Sequence, residues 1–215
     1  MDFFSINGKF YSFMTKVADL MILSVLWLFT SLPVITLGAS SSALYYSVIK
    51  VVREESDRPT KAYFRAFRDN FKQSTWITGG FLALTLLVTA IGTAVYRIHP
   101  DPHTLQRIYA AYLILLGIAI AWLHYLLSYI ARFQAPLKTV LVNSLVICFV
   151  NLPQSISMTI LFILCVMGFI LAFPGTAMVI ILAPGVYALL TSYLVERIYK
   201  KYQPEENEET SAEEA

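Results

Sequence analysis

The chain has 215 residues, of which 57% are hydrophobic and 14% charged, with a mean hydropathy of +0.64. That much apolar surface excludes a water-soluble domain of this size and assigns the chain to the lipid bilayer. The net charge of +2 hides a partition: residues 203–215 carry six Glu and no base, so residues 1–202 stand at +8, a basic membrane body followed by a short acidic, disordered tail.

A spanning helix needs ~20 apolar residues. The first run that qualifies is 17–37. Apolar character continues through 43–52 after a break at Pro33 and Gly38. One long kinked helix is the simpler reading and a short re-entrant hairpin its rival. Lys16, the apolar run and the small residues from Gly38 to Ala43 also imitate a cleaved signal peptide. The run is long for a signal core, and cleavage would export the basic segment that follows, so the retained helix is the stronger reading.

Residues 60–74 are the clearest amphipathic element. Lys61, Arg65, Arg68 and Lys72 recur at helical spacing, with Phe64, Phe67 and Phe71 on another side. This is the pattern of a helix in the headgroup plane, serving as a lipid anchor or as a docking surface for a partner. Spans are then expected at 75–96, 108–130, 156–173 and 176–195. Pro100 and Pro102 flank Asp101 between the second and third, and Pro174-Gly175 separates the last two. Residues 137–152 carry Lys138, Thr139, Asn143 and Asn151 among apolar neighbours and are too short for a separate span. The expected fold is all-α: a polytopic membrane bundle of about five transmembrane helices with interfacial amphipathic helices.

Lys and Arg set the orientation. Placing Lys50, Arg53, Arg58 and the 60–74 cations in the cytoplasm also puts Arg132, Lys138, Arg197, Lys200 and Lys201 there, which is 12 inside against Lys9, Lys16, Arg97 and Arg107 outside. The N-terminus is therefore expected outside and the C-terminus in the cytoplasm.

An internal repeat is superimposed on these spans. Asn70, Gln73, Ser74, Thr78 and Phe81 recur 81 residues later as Asn151, Gln154, Ser155, Thr159 and Phe162. At ~100° per residue the five positions fall within one ~140° arc, so what recurs is a helix face. Ser47 and Ile49 match Ser128 and Ile130 at the same offset. Both copies would run from cytoplasm to outside as a parallel repeat with halves at 11–94 and 92–173 and an extra span outside it. The repeated amides and hydroxyls are either interhelical hydrogen bonds, worth ~0.6 kcal/mol each, or the wall of a shared polar pocket. Gly38/Ser42 and Ala39/Ala43 form a small-residue seam, within the bundle or against another subunit.

Catalytic constellations are missing from the sequence: it has no phosphate-binding Gly-x-x-x-x-Gly-Lys loop, no His-Glu-x-x-His and no Gly-x-Ser-x-Gly. Neither an enzyme nor a cofactor or metal is expected, and nucleic acid is not expected among the partners. His99-Pro100-Asp101-Pro102-His103 reads as a polar turn, since its prolines oppose the helix that would align two imidazoles. Asp19 reads as a helix-end partner of Lys16, and His124 as a hydrogen-bonded residue within a span. Cys148 and Cys165 lie in apolar runs as small hydrophobes.

Several stretches resemble a known family: Lys16-Val17-Ala18-Asp19-Leu20, Ser31-Leu32-Pro33-Val34-Ile35-Thr36-Leu37-Gly38-Ala39, Ala43-Leu44-Tyr45-Tyr46, the block from Tyr63 to Ser74, Ala131-Arg132-Phe133, and Asn143 ahead of Asn151-Leu152-Pro153. Together they resemble the YesL family of small bacterial integral membrane proteins, over nearly the whole chain except the acidic tail. Members of that family sit beside a solute-binding protein and the permeases of ATP-driven carbohydrate importers. The resemblance implies an accessory or regulatory membrane subunit that contacts permease subunits of an oligosaccharide ABC importer in a bacterial cell membrane. The alternative is an autonomous small-solute or lipid-handling transporter that uses the polar repeat faces.

Overall fold

The computed structural model describes residues 9–54, 58–98, 101–133, 135–172 and 177–202, and among them every regular element is helical. The acidic tail and the Pro174-Gly175 turn lie outside the described residues. In chain order the elements are α1 (Lys9–Thr30), a 3₁₀ turn (Val34–Thr36), α2 (Leu37–Ser47) continued by a π-helical turn (Val48–Arg53), α3 (Pro59–Ile98), α4 (Pro102–Arg132), α5 (Leu137–Val150), α6 (Leu152–Ala172) and α7 (Ala177–Tyr202). By length and composition α1, α2 with its π-helical turn, α3, α4 and α7 are long and apolar enough to cross a membrane, and α5 with α6 form a further pair bent by 97°. The chain is thus a multi-pass helical membrane protein.

Side-chain contacts fix the helix directions. Phe81 of α3 meets Trp122 of α4 at 5.4 Å, and Gln73 Nε2 donates to the Ala135 carbonyl just past the end of α4 at 3.2 Å, so α3 and α4 are antiparallel. Tyr187 of α7 bonds His124 of α4, and eight or nine residues further on Glu196 pairs with Arg132, so α4 and α7 run the same way. Phe162 faces Tyr187 at 5.9 Å and Cys165 lies 3.9 Å from the Ala183 carbonyl, which makes α6 antiparallel to α7. In α1, Ser24 sits against Gly185 in the middle of α7, whereas Thr30 reaches Tyr63 in the basic part of α3. Helices α1, α4 and α7 therefore run toward one common end and α3 and α6 run away from it. Most of the Lys and Arg collect at that end.

The first apolar stretch departs from the simpler expectation of one long kinked helix. Leu32 precedes Pro33, which disfavours helical geometry, and α1 stops at Thr30. The Thr36 hydroxyl then donates to the Thr30 carbonyl at 2.6 Å, answering a terminal acceptor that lipid would leave unpaired. Beyond this cap the chain folds back. Gly38 lies against Ser74 and Thr78, the Tyr45 hydroxyl donates to Glu196 Oε1 at 3.4 Å, and Arg53 Nη1 donates to the Ser192 carbonyl at 3.2 Å. The α2 segment thus packs against the first half of α3 and the second half of α7 as a helix separate from α1, and does not continue α1 as one long kinked helix.

Two further differences concern the amphipathic elements. Residues 60–74 do not form a separate in-plane helix; they are the first turns of α3, a continuous 40-residue helix. At 1.5 Å per residue it is ~60 Å long, about twice the hydrocarbon thickness. No Pro or Gly interrupts it between Pro59 and Gly79. In the second copy Pro153 stands where the first has Lys72, and there the chain bends by 97° between α5 and α6. The Ser47/Ser128 match falls on non-equivalent elements, α2 and α4. A different likeness joins the halves: Trp27 of α1 donates to Ser41 of α2 at 3.2 Å, and Trp122 of α4 donates to Ser144 of α5 at 3.0 Å.

The small-residue seam is internal. Gly38, Ala39, Ser42 and Ala43 are buried. A Cβ at Gly38 would overlap the Thr78 hydroxyl and come within 2.8 Å of the Ser74 carbonyl. Only glycine permits this approach of α2 to α3. Gly38→Val should therefore lower stability in detergent by ~1–3 kcal/mol, the cost of overpacking a filled site. Gly79 has open space around it, and Gly79→Ala should be neutral or stabilising by up to ~1 kcal/mol. Thermal unfolding of the two variants, read side by side, checks both signs.

Candidate functional site

The basic end combines a presented face with a sealed interior. On α3, Ala62, Tyr63 and Ala66 are buried against α2 and the π-helical turn. The Tyr63 hydroxyl lies 2.5 Å from Thr30 Oγ1 and 3.5 Å from the Ser40 carbonyl, which ties this turn to α1 and α2. Lys61, Arg65, Arg68 and Lys72 occupy the opposite, exposed side. Of the three expected rings, Phe64 and Phe71 are 49% and 40% exposed, while Phe67 turns inward and stacks on Tyr63 at 6.3 Å. The face is a row of four cations flanked by two open aromatic rings on a helix anchored from below.

The polar residues of the repeat are engaged with different neighbours. The Ser74 hydroxyl, fully buried, lies 3.3 Å from Ser42 Oγ of α2. That of Ser155 lies 2.8 Å from the Cys148 carbonyl and 3.4 Å from the Tyr125 hydroxyl of α4. Thr78 donates to the Ser74 carbonyl at 2.9 Å and Thr159 to the Ser155 carbonyl at 3.0 Å, the same local bond in both copies. Gln73 holds the α4–α5 turn, and Asn151 Nδ2 donates to the Ile147 carbonyl at 3.0 Å where α5 ends. Asn70 and Gln154 are half-buried.

A charged network closes the interior at this end. Glu196 is 6% exposed and pairs with Arg132 while accepting from Tyr45. Beside it, Tyr199 and Ser128 are buried with their hydroxyls 3.0 Å apart. The Arg132 guanidinium also lies 5.7 Å from the Tyr199 ring centroid. Residue spacing did not reveal this pair, because its members are 64 positions apart. The available signal was that Arg132 ends α4 and Glu196 lies in the last two turns of α7, which runs in the same direction.

His124 is likewise satisfied within the protein. Its Nδ1 lies 2.7 Å from the Ile120 carbonyl, which can only accept, so Nδ1 carries the hydrogen and Nε2 accepts from Tyr187. Cys148 and Cys165 are free thiols, and among the described residues no group of three or more His, Cys, Asp or Glu comes together as a metal site.

Residues 20–92 match the model of a family described as a protein of unknown function, DUF624. The match starts in α1 and covers α2 and most of α3, including the seam and the basic face. No curated protein and no solved structure matches the chain.

Removing Glu196 alone strands a cation near the bundle interior. Glu196→Leu should destabilise by ~2–3 kcal/mol, at or below the ~3–5 of a fully enclosed pair because the Arg132 side chain remains 28% exposed. Adding Arg132→Met should recover most of that loss. A double-mutant cycle read by thermal unfolding checks it, and additive losses would mean that the two residues do not act as a pair.

Proposed function

We propose that this chain is a non-enzymatic accessory subunit of a carbohydrate ABC importer, docking on an acidic surface of the permease subunits through the basic face of α3. One observation carries the reading: four cations and two exposed rings are held outward on a helix whose other side is buried, so the face is presented at little ordering cost. The YesL resemblance supplies the class of partner. Each cation near an anionic surface contributes ~1 kcal/mol, which makes the four together a substantial docking term. The rival, an autonomous small-solute transporter, has less support because the hydroxyls and the imidazole between the helices at Ser41, Thr78, His124, Ser128, Tyr187 and Thr191 are already bonded to protein partners.

The orientation that fits this reading has the basic end in the cytoplasm of a bacterial cell, with the N-terminus outside and the C-terminus inside. It rests on the 12-to-4 division of Lys and Arg and on α1 running toward the basic end. In a variant with Cys148 and Cys165 replaced by Ser, a cysteine at Lys61 should react with an impermeant maleimide only after cells are opened. Labelling in intact cells would reverse the orientation.

The quadruple change Lys61→Gln, Arg65→Gln, Arg68→Gln and Lys72→Gln should leave insertion and topology unchanged, because eight cations remain on that side. It should reduce co-purification of the permease subunits in mild detergent by tenfold or more and lower oligosaccharide uptake. Full retention of partners and uptake would reduce the face to a lipid anchor.

A further inference from the structure

Between α1, α2, α3, α4, α6 and α7 lies a cavity of ≈ 460 Å³. We propose that it holds the hydrocarbon tail of a bilayer amphiphile. The volume falls in the range of about 300–1,000 Å³ typical of small-molecule sites. Its wall is apolar, built from side chains such as Leu44, Ile120, Leu123, Phe162 and Val166.

The polar groups of the wall decide the ligand class. Ser41 accepts from Trp27, Thr78 donates to the Ser74 carbonyl, Ser128 to the Tyr125 carbonyl and Thr191 to the Tyr187 carbonyl. His124 and Tyr187 bond each other, and Tyr45 donates to Glu196. Each hydroxyl and the imidazole is thus turned toward a protein partner. A sugar or an ion entering here would lose its hydration and gain little in return. A hydrocarbon chain loses nothing by the exchange, and an apolar space of this kind does not hold ordered water.

The exposure of the wall residues also sets the direction of entry. Toward the basic end its wall is formed by the buried residues Tyr45, Ser128 and Val195, and Tyr45 donates to Glu196 of the Arg132–Glu196 pair. Toward the other end its wall includes Val166, which is 40% exposed on α6. A tail therefore enters from the leaflet opposite the basic end and stops against the charged network.

Photolabelling in phosphatidylglycerol vesicles tests this, using the full chain and a phospholipid with a diazirine at the end of one acyl chain. Adducts should map to peptides containing Leu123, Phe162 or Val166, in addition to lipid-facing positions such as Leu86 and Leu87. Ala183→Phe and, separately, Leu123→Trp should fill the space and cut adducts on the remaining wall positions at least tenfold while leaving those at Leu86 and Leu87 unchanged. A parallel arm with a diazirine-bearing polyprenyl phosphate distinguishes an acyl from a prenyl tail; wall labelling by either supports the site. Absence of wall adducts in the unmodified chain with both probes, or adducts unchanged in both variants, would overturn it. Permease co-purification measured on the same variants separates this outcome from failure of the docking reading.

Discussion

The approach of α2 to α3 is the contact on which the basic end depends. Helices in lipid gain little from apolar burial against one another, so they associate where small residues let backbones come close and where hydroxyls find partners. Gly38 and Ser42 meet Ser74 and Thr78 in this way. The seam holds α2 against α3, and α2 in turn contributes Tyr45 to the charged network and Leu44 to the cavity wall. It also supplies, with α1, the support beneath Tyr63 that keeps the basic face pointing outward.

Polar satisfaction explains why the chain breaks where it does. Hydrocarbon offers no water to an orphan carbonyl or amide. At the end of α1 the acceptor is answered by Thr36, at the end of α5 by the Asn151 side chain, and near Pro184 in α7 the Gly185 N–H donates to Ser24 Oγ at 2.9 Å. Each break is accompanied by a short polar side chain within reach. Thr30, Ser24 and Thr78 bond back to carbonyls of their own helices, so these hydroxyls are also satisfied when no neighbour helix answers them.

Apolar run length was sufficient to place the long helices: α3 and α4 contain the expected stretches, and α6 and α7 cover 156–172 and 177–195 of theirs. It was insufficient for α2, because a kinked continuation and a fold-back have the same composition and differ only in what 38–53 touch. The continuity of α3 was open to reading: no helix breaker separates its cationic turns from its apolar ones, whereas Pro153 marks the bend in the second copy. The small-residue seam could be seen at Gly38 and Ala39, but its partner could not. For the basic face the spacing gave the cations correctly and misjudged Phe67, because helical spacing says which residues share a side without saying which of them a neighbouring Tyr63 will cover.

The distribution of charge and polarity is what favours the proposed subunit reading over a self-sufficient carrier. Translocating a carbohydrate calls for donors and acceptors that can be lent to the substrate, and for charged or broken helices near the middle of the membrane. In this bundle the hydroxyls of Ser41, Thr78, Ser128 and Thr191 are bonded to protein, the Arg132–Glu196 pair sits toward one end, and the space these groups line is apolar. The cations of α3, with Phe64 and Phe71, are among the exposed side chains. A protein built in this way has more to offer a neighbouring surface and a lipid tail than a soluble substrate, and the α2–α3 seam supports both the basic face and the cavity wall.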